Sequence, residues 1–349
     1  MMERIPVAVL GATGMVGQWF VRLLSRHPWF EIAAVAASGR SAGVPYGEAV
    51  RWIFPEGIPE AVRELPVVLP EPGIPGKIAF SALPADVAGP VEEEFARAGY
   101  VVSSNARSHR YDPDVPIIVA EVNPDHLGLV ELQRRKRGWK GFIVTGSNCS
   151  TAQLVLALEP LRRRFGVEAV VVATMQALSG AGFSGVPGVA ILDNVLPHIP
   201  GEEEKLAREP RKIWGKLTPK GIEEAEVRIS AHCHRVATRD GHLEAVSVKL
   251  SRRAELGEVV EALEGFRGLP QELGLPSAPE RPIVVRREPD RPQPRLDRGA
   301  GGGMSVVVGR IRPCPVLDWR LEVLGHNTVR GAAGGAILNA ELAVAKGLL

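Results

Sequence analysis

Val7-Ala8-Val9-Leu10-Gly11-Ala12-Thr13-Gly14-Met15-Val16-Gly17 is the stretch that decides the fold. Four apolar residues make a short buried-strand run, and three glycines follow at G-x-x-G-x-x-G spacing. Val16, Phe20, Leu23 and Leu24 then recur at helical period over 14–25. Glycines between a strand and a helix let backbone approach a pyrophosphate, and the helix N-terminus turns partial positive charge toward it. The spacing alone also fits a tight strand-to-helix turn. Its position as the first turn of a strand–helix alternation is what points to a dinucleotide. Gly11, Thr13, Gly14, Met15, Val16 and Gly17 are the candidate cofactor contacts of this loop.

Outward from the loop, strand-like runs recur at 31–37, 77–83, 100–103, 116–119 and 141–145, with a helix over 84–98 opening at Pro84. This βαβα rhythm predicts an α/β fold, a Rossmann-type doubly wound parallel sheet. Ser81, near the end of the 77–83 run, joins the cofactor candidates. Past residue 147 the texture changes. Long β-branched runs at 167–178, 227–231, 243–250, 305–311 and 317–323 predict a largely antiparallel sheet in an α+β domain. The seven prolines of 270–294 predict an extended excursion, and 332–348 an Ala/Leu-rich closing helix. The expected division is a cofactor domain over 1–147, a catalytic and dimerisation domain over 148–326, and a segment 327–349 that returns to the first.

The second strand distinguishes the two dinucleotides. An NAD enzyme places a carboxylate at its C-terminal end for the ribose 2′-hydroxyl. Glu31 is at the opposite end, whereas the correct end reads Ser38-Gly39-Arg40-Ser41. Two hydroxyls and a guanidinium suit a 2′-phosphate, so NADP is the expected cofactor, the alternative being a merely solvated Arg40.

Composition narrows the class of protein. The 349 residues carry 42 Lys and Arg against 40 Asp and Glu, a formal charge of +2, which gives no footprint for nucleic acid or an anionic membrane surface. No stretch approaches the ~20 apolar residues of a membrane span, and glycines and Arg22 and Arg26 break up the apolar start. Three cysteines build no disulfide framework, and a reducing cytoplasm is the expected compartment.

One of those cysteines stands apart. Ser147-Asn148-Cys149-Ser150-Thr151 follows a strand and precedes a helical stretch, so Cys149 falls at a helix N-terminus. There the dipole and free N–H groups lower a thiol pKa and, with the Asn148 amide, can hold an oxyanion. A small buried hydrophobe is the plainer reading of the same position. Cys314 lies between two prolines. In His232-Cys233-His234 only the two histidines share a strand face, and no metal is expected. His242 opens a strand with Glu244 on the same face, a candidate acid–base pair, and Arg235 is a candidate carboxylate clamp. A hydrogen-bonded edge histidine is the alternative for His242.

Taken together, GATGMVG (11–17), SSNARSHRYDPDVP (103–116), SNCS (147–150), MQALSGAG (175–182), GEEEK (201–205), HRVATRDGH (234–242) and HNTVRGAAGG (326–335) closely resemble the archaeal and fungal branch of the aspartate-β-semialdehyde dehydrogenases. The resemblance covers nearly the whole chain. It implies Cys149 as nucleophile, His242 as acid–base, and Gln176 and Asn148 as residues that orient the acyl group. It further implies Arg235 on the substrate α-carboxylate, Glu202 on its ammonium group, Arg110 and Lys205 on phosphate, and Asn327 on the nicotinamide amide. The implied reaction is NADPH-dependent reductive dephosphorylation of L-aspartyl 4-phosphate to L-aspartate 4-semialdehyde through a Cys149 thioester, a step that feeds lysine, threonine and methionine biosynthesis. A homodimer or homotetramer is implied as well. Arg107 and Ala237 depart from the small residue and the proline common at these places.

Two other readings stand beside this one. Malonyl-CoA reductase and other acyl-phosphate reductases use the same scaffold, and Glu202 speaks against them because only an ammonium-bearing substrate needs it, the alternative being a surface charge in the run Glu202-Glu203-Glu204. An NADP-binding regulatory protein would have no use for Cys149, His242 and two anion-binding cations together.

Overall fold

The alternation at the start of the chain closes into one sheet. In the computed structural model, which describes residues 3–349, the strands are β1 (Ile5–Leu10), β2 (Phe30–Ala36), β3 (Val67–Val68), β4 (Ile78–Ser81), β5 (Val101–Ser104), β6 (Ile117–Ile118) and β7 (Phe142–Gly146). They lie in the order β3-β2-β1-β4-β5-β7-β6 and every pairing is parallel. Period-two alternation feeds both faces of the sheet. Val7 and Val9 pack with the helix Met15–Leu24 and the C-terminal helix, while Ala8 and Leu10 pack toward the helix Ala85–Ala98. The strand order reverses between β1 and β4, where a doubly wound sheet opens its ligand crevice. Leu10 pairs with Ser81 across that point, so Gly11 and Ser81 sit at the mouth of the crevice.

The second sheet is mixed. Its strands are β8 (Val167–Gln176), β11 (Arg228–Arg235), β12 (His242–Leu250), β13 (Ile283–Val285), β14 (Val306–Pro313) and β15 (Trp319–Gly325); β9 (Lys216–Thr218) and β10 (Gly221–Glu223) form a separate hairpin. The order is β11-β8-β12-β15-β14-β13, antiparallel at its three central pairings and parallel at both outer ones. The helix Cys149–Phe165 covers one face, its Leu154, Val155, Leu158 and Leu161 fully buried.

After β15 the chain returns to the first sheet through a wide helical turn, Val329–Ala333, and the helix Gly334–Ala345. Ser103 Oγ donates to the Ala336 carbonyl at 2.9 Å, and Asn339 Nδ2 donates to the Ile118 carbonyl at 3.0 Å. Arg330 meets Glu121 through two hydrogen bonds, 2.7 and 3.0 Å, with both side chains buried. The 270–294 segment is extended only in its middle. Short helical turns, Leu269–Glu272 and Pro294–Asp297, stand at its ends, because proline in a first helical turn lacks only an N–H that would be unpaired anyway. No helix among the described residues is long and apolar enough to cross a membrane.

Candidate active site

The glycine loop has the shape a pyrophosphate requires. Gly11 holds φ +77°, and a Cβ on it would lie 2.6 Å from the Ala82 carbonyl oxygen. A Cβ on Gly17 would lie 2.0 Å from the Gly11 carbonyl, so only glycine lets the helix sit this close to the strand. Gly14 caps the Met15 helix without a side chain, which leaves the first-turn N–H groups facing the crevice beside Thr13, Met15 and Val16. At the C-terminal end of β2, Ser38 and Arg40 are exposed and Ser41 half-buried, and Arg40 makes no ion pair among the described residues. Glu31 is spent at the other end on Arg4, 3.3 Å away. The donors therefore fit a dinucleotide with a 2′-phosphate.

The second sheet arranges the chemistry in rows. Arg235 pairs with Gln176, His242 pairs with Gly325, and the Leu243–Met175 pair puts His242 beside Gln176. Residues paired across strands share a face, so Arg235, Gln176 and His242 point together toward the Cys149 helix. Cys233, Thr174, Glu244 and Val323 form the next row on that face.

Cys149 is the first residue of its helix, and its Sγ lies 3.3 Å from His242 Nε2. The Ala177 N–H donates to His242 Nδ1 at 3.0 Å. A neutral ring that accepts at Nδ1 keeps its proton on Nε2, which makes His242 a donor toward the sulfur. Burial, with Arg235 and His326 nearby, pushes the His242 pKa down to about 3. The expected lowering of the thiol pKa is not found: burial, helped by the Glu202 charge, pushes Cys149 up to about 12, outweighing Arg235, Arg110 and the Ser150 N–H. At neutral pH the pair therefore rests as thiol and imidazole.

Two other expectations change. Glu244 does not reach the His242 ring, whose Nδ1 is occupied, and neither of its carboxylate oxygens has a hydrogen bond of ordinary geometry, although the Gln153 amide lies close enough to favour its charge. Burial raises its carboxyl well above the usual range. The first-turn N–H groups of Ser150 and Thr151 are not free for an oxyanion, because Asn148 Oδ1 accepts both, at 3.0 and 3.3 Å.

Glu202 is the hub on the other side. Its Oε2 accepts from Asn148 Nδ2 at 2.8 Å and Gln176 Nε2 at 3.2 Å, and its Oε1 accepts from Lys205 Nζ at 2.6 Å. Burial works against its charge, but Lys205 and the two amides prevail and its pKa is lowered. Arg235 is buried and donates to the Ala177 carbonyl at 2.7 Å. Arg110, also buried, donates through Nη1 to Glu209 at 2.9 Å and through Nη2 to the Asn105 and Ser147 carbonyls, while its Nε has no partner. Lys205 and Arg110 thus each carry an acid partner rather than facing each other. Asn327 uses both ends of its amide on the chain, donating to Ser179 Oγ and accepting from the Gly241 N–H, each at 2.8 Å.

Sequence reasoning missed Glu209 and Lys212. Glu209 joins Arg110 to the Asn148 N–H, 2.6 Å away, and the Lys212 ammonium donates to the carbonyls of Arg110, Asp112 and Val115, each at 2.7 Å. The signal was their spacing: Glu202, Lys205, Glu209 and Lys212 recur at helical period on one face of the helix Glu202–Ile213. Among the described residues no group of three or more His, Cys, Asp or Glu side chains is placed to hold a metal ion.

A cleft of about 460 Å³ opens beside the cofactor loop, lined by Met15 and Trp19 on one side and Ser179, Asp240 and His326 on the other. Against known proteins, the family described as "Semialdehyde dehydrogenase, NAD binding domain" matches residues 6–130, and "Semialdehyde dehydrogenase, dimerisation domain" matches 158–330. The chain is 53% identical to aspartate-semialdehyde dehydrogenase of Archaeoglobus fulgidus over 98% of both chains. It is 43% identical to malonyl CoA reductase (NADP) of Metallosphaera sedula, over 100% of this chain and 99% of that one. The crystal structure of aspartate semialdehyde dehydrogenase with NADP from Candida albicans superposes with a TM-score of 0.91 at 43% identity, covering 99% of this chain and 100% of the other. Loop, the Cys149–His242 pairing and full-length likeness agree, and the chain belongs to the aspartate-semialdehyde dehydrogenase family.

Proposed function

We propose that the chain reduces L-aspartyl 4-phosphate to L-aspartate 4-semialdehyde with NADPH, and runs the reverse with inorganic phosphate, as a step of lysine, threonine and methionine biosynthesis in the cytoplasm. The observation that carries this reading is the Cys149–His242 pair set between a buried acid, Glu202, and a buried cation, Arg235. A nucleophile with a partner for an ammonium group on one side and for a carboxylate on the other suits an amino-acid acyl group.

In this reading Glu202 receives the substrate ammonium, Arg235 its α-carboxylate, and Arg110 and Lys205 the phosphate. Gln176 and Asn148 orient the acyl carbon. An ammonium beside Glu202 offsets the negative charge that helps keep Cys149 protonated, so binding favours the thiolate. The sulfur attacks the acyl carbon, a C–S bond forms, the C–O bond to phosphate breaks, and the phosphate leaves with the electron pair. Bound NADPH supplies the hydride to the thioester carbon. As the C–S bond then breaks, the sulfur regains its charge facing the same Nε2–H of His242, which stabilises it as nucleophile and as leaving group alike. The thiol proton passes to the departing phosphate, and one proton from solvent restores the thiol, the single proton consumed overall. Ser38, Arg40 and Ser41 take the cofactor 2′-phosphate, and Gly11 to Gly17 with Ser81 take the rest of the nucleotide approach.

The uncovered face of the second sheet, with Val171 46% exposed and Ala173, Met175, Leu243 and Ala245 half-buried around it, supports a dimer built on that sheet. Incubation with aspartate semialdehyde, phosphate and NADP, followed by NADPH absorbance, tests the function. Activity on malonyl-CoA with none on the semialdehyde would replace it with the reductase reading. NADP binding with no turnover of either substrate would favour a non-catalytic protein.

A further inference from the structure

One fully buried carboxyl has no part in the chemistry above. Glu244 lies one row behind His242 on β12, facing the same helix. Gln153, on that helix and only 1% exposed, donates its amide N–H to the His242 backbone carbonyl at 3.0 Å. A carbonyl can only accept, so the amide nitrogen must face it and the orientation of the Gln153 side chain is settled. That leaves Gln153 Oε1 without a donor, while the same side-chain amide lies close enough to Glu244, whose two oxygens have no hydrogen bond of ordinary geometry, to favour its charge against burial. Gly325, the ladder partner of His242, makes the room: a Cβ there would lie 2.4 Å from Gln153 Oε1.

Three buried acceptors, Gln153 Oε1 and the two Glu244 oxygens, are left unsatisfied in one neighbourhood. Cys233 on β11 and Thr174 on β8 share the row, Glu202 and Glu203 approach Cys233 from the neighbouring helix, and His242 lies two residues away. No Lys or Arg forms an ion pair with Glu244 among the described residues. A single added proton resolves the conflict, since a carboxylic acid donates one hydrogen bond and drops its charge.

We propose that Glu244 is a positioning residue that works as a neutral carboxylic acid: its O–H donates to Gln153 Oε1, and Gln153 in turn holds the His242 backbone so that Nε2 stays aimed at Cys149. The proposal rests on the reading of the Cys149–His242 pair as the reacting centre. It differs from an ionised partner of His242, for which the carboxylate charge would be essential.

Glutamine imitates a neutral carboxylic acid and leucine does not. Glu244→Leu is expected to lower kcat by about tenfold or more with KM little changed, the scale of a misplaced catalytic group. Glu244→Gln is expected to restore it to within about threefold. Gln153→Met serves where Glu244→Leu does not fold. Wild-type stability should also fall relative to Glu244→Gln as pH rises. Above about 4.3 the unfolded glutamate gives up its proton while the folded one keeps it, which costs wild type about tenfold in the folded-to-unfolded ratio per pH unit until the folded group titrates. The Tm advantage of Glu244→Gln should therefore grow from pH 5 to pH 8, and the wild-type infrared spectrum should hold a protonated-carboxyl band that the variant lacks. A flat Tm difference, an absent band, or Glu244→Gln as poor as Glu244→Leu would overturn the proposal. Should the wild type turn over no semialdehyde, the function fails separately. The band, the Tm series and the rate of Cys149 alkylation in Glu244→Leu, which reads the donor at sulfur, still decide the role of Glu244.

Discussion

Gly180 stands against the two side chains that matter most, and Gly180→Ala turns that closeness into a measurement. An added Cβ would lie 2.7 Å from Arg235 Nη1, 3.1 Å from His242 Cε1 and 3.2 Å from His242 Nε2. Ordinary contact begins near 3.4 Å, so Arg235 must retreat by about 0.7 Å, enough to break its 2.7 Å bond to the Ala177 carbonyl. Gly180 lies in the short helical turn Leu178–Ala181 with no positive φ, so alanine suits its backbone. The cost therefore falls on function. A lost charge-assisted hydrogen bond is worth about 1.5–3 kcal/mol, and at about 1.4 kcal/mol per decade kcat/KM for the semialdehyde should fall about tenfold to a hundredfold. The atom that must give way is the far end of a flexible side chain, which can shift at little cost to the fold, so Tm should move by no more than ~4 °C. Steady-state NADPH absorbance and a thermal melt measure both. Unchanged kcat/KM, or a collapse in Tm to match the lost activity, would refute this reasoning.

Alkylation of Cys149 by iodoacetamide should quicken about tenfold per pH unit between pH 7 and 9, because thiolate is scarce below a pKa near 12; a plateau already at pH 7 would mean a preformed thiolate. Arg40→Ala should weaken NADP far more than NAD in a binding titration, and equal losses would remove the 2′-phosphate assignment. Glu209→Ala leaves Arg110 buried without its acid and should cost about 3–5 kcal/mol in denaturant unfolding while raising KM for phosphate; a silent change would mean Arg110 has another anchor. Cys149→Ala should abolish turnover and spare NADP affinity, so residual activity would point to a different nucleophile.

The fold was largely legible because periodicity is local. The βα alternation, the loop at Gly11 and the long strands of the second half are each written within a dozen residues. The site was legible by residue type but not by partner. Nothing near Cys149 in sequence announces that Asn148 spends its carbonyl oxygen on the helix cap, or that Glu202 gathers three donors from three elements. Burial is the other quantity that spacing does not carry. A helix N-terminus argues for a low thiol pKa, and desolvation reverses it. Glu244 beside His242 suggested an acid–base pair, but the Ala177 N–H, 65 positions away, holds the ring nitrogen first.

The returning C-terminal helix sets an order of events during synthesis. The parallel sheet assembled from the first 146 residues lacks part of the cover on one face, over β4, β5 and β7, until the segment after β15 leaves the ribosome. Until then Glu121 has no Arg330, and the Ile118 carbonyl has no Asn339. A nascent chain that ends before residue 330 therefore leaves the apolar side of β4, β5 and β7 uncovered. The sheet made first is the one covered last.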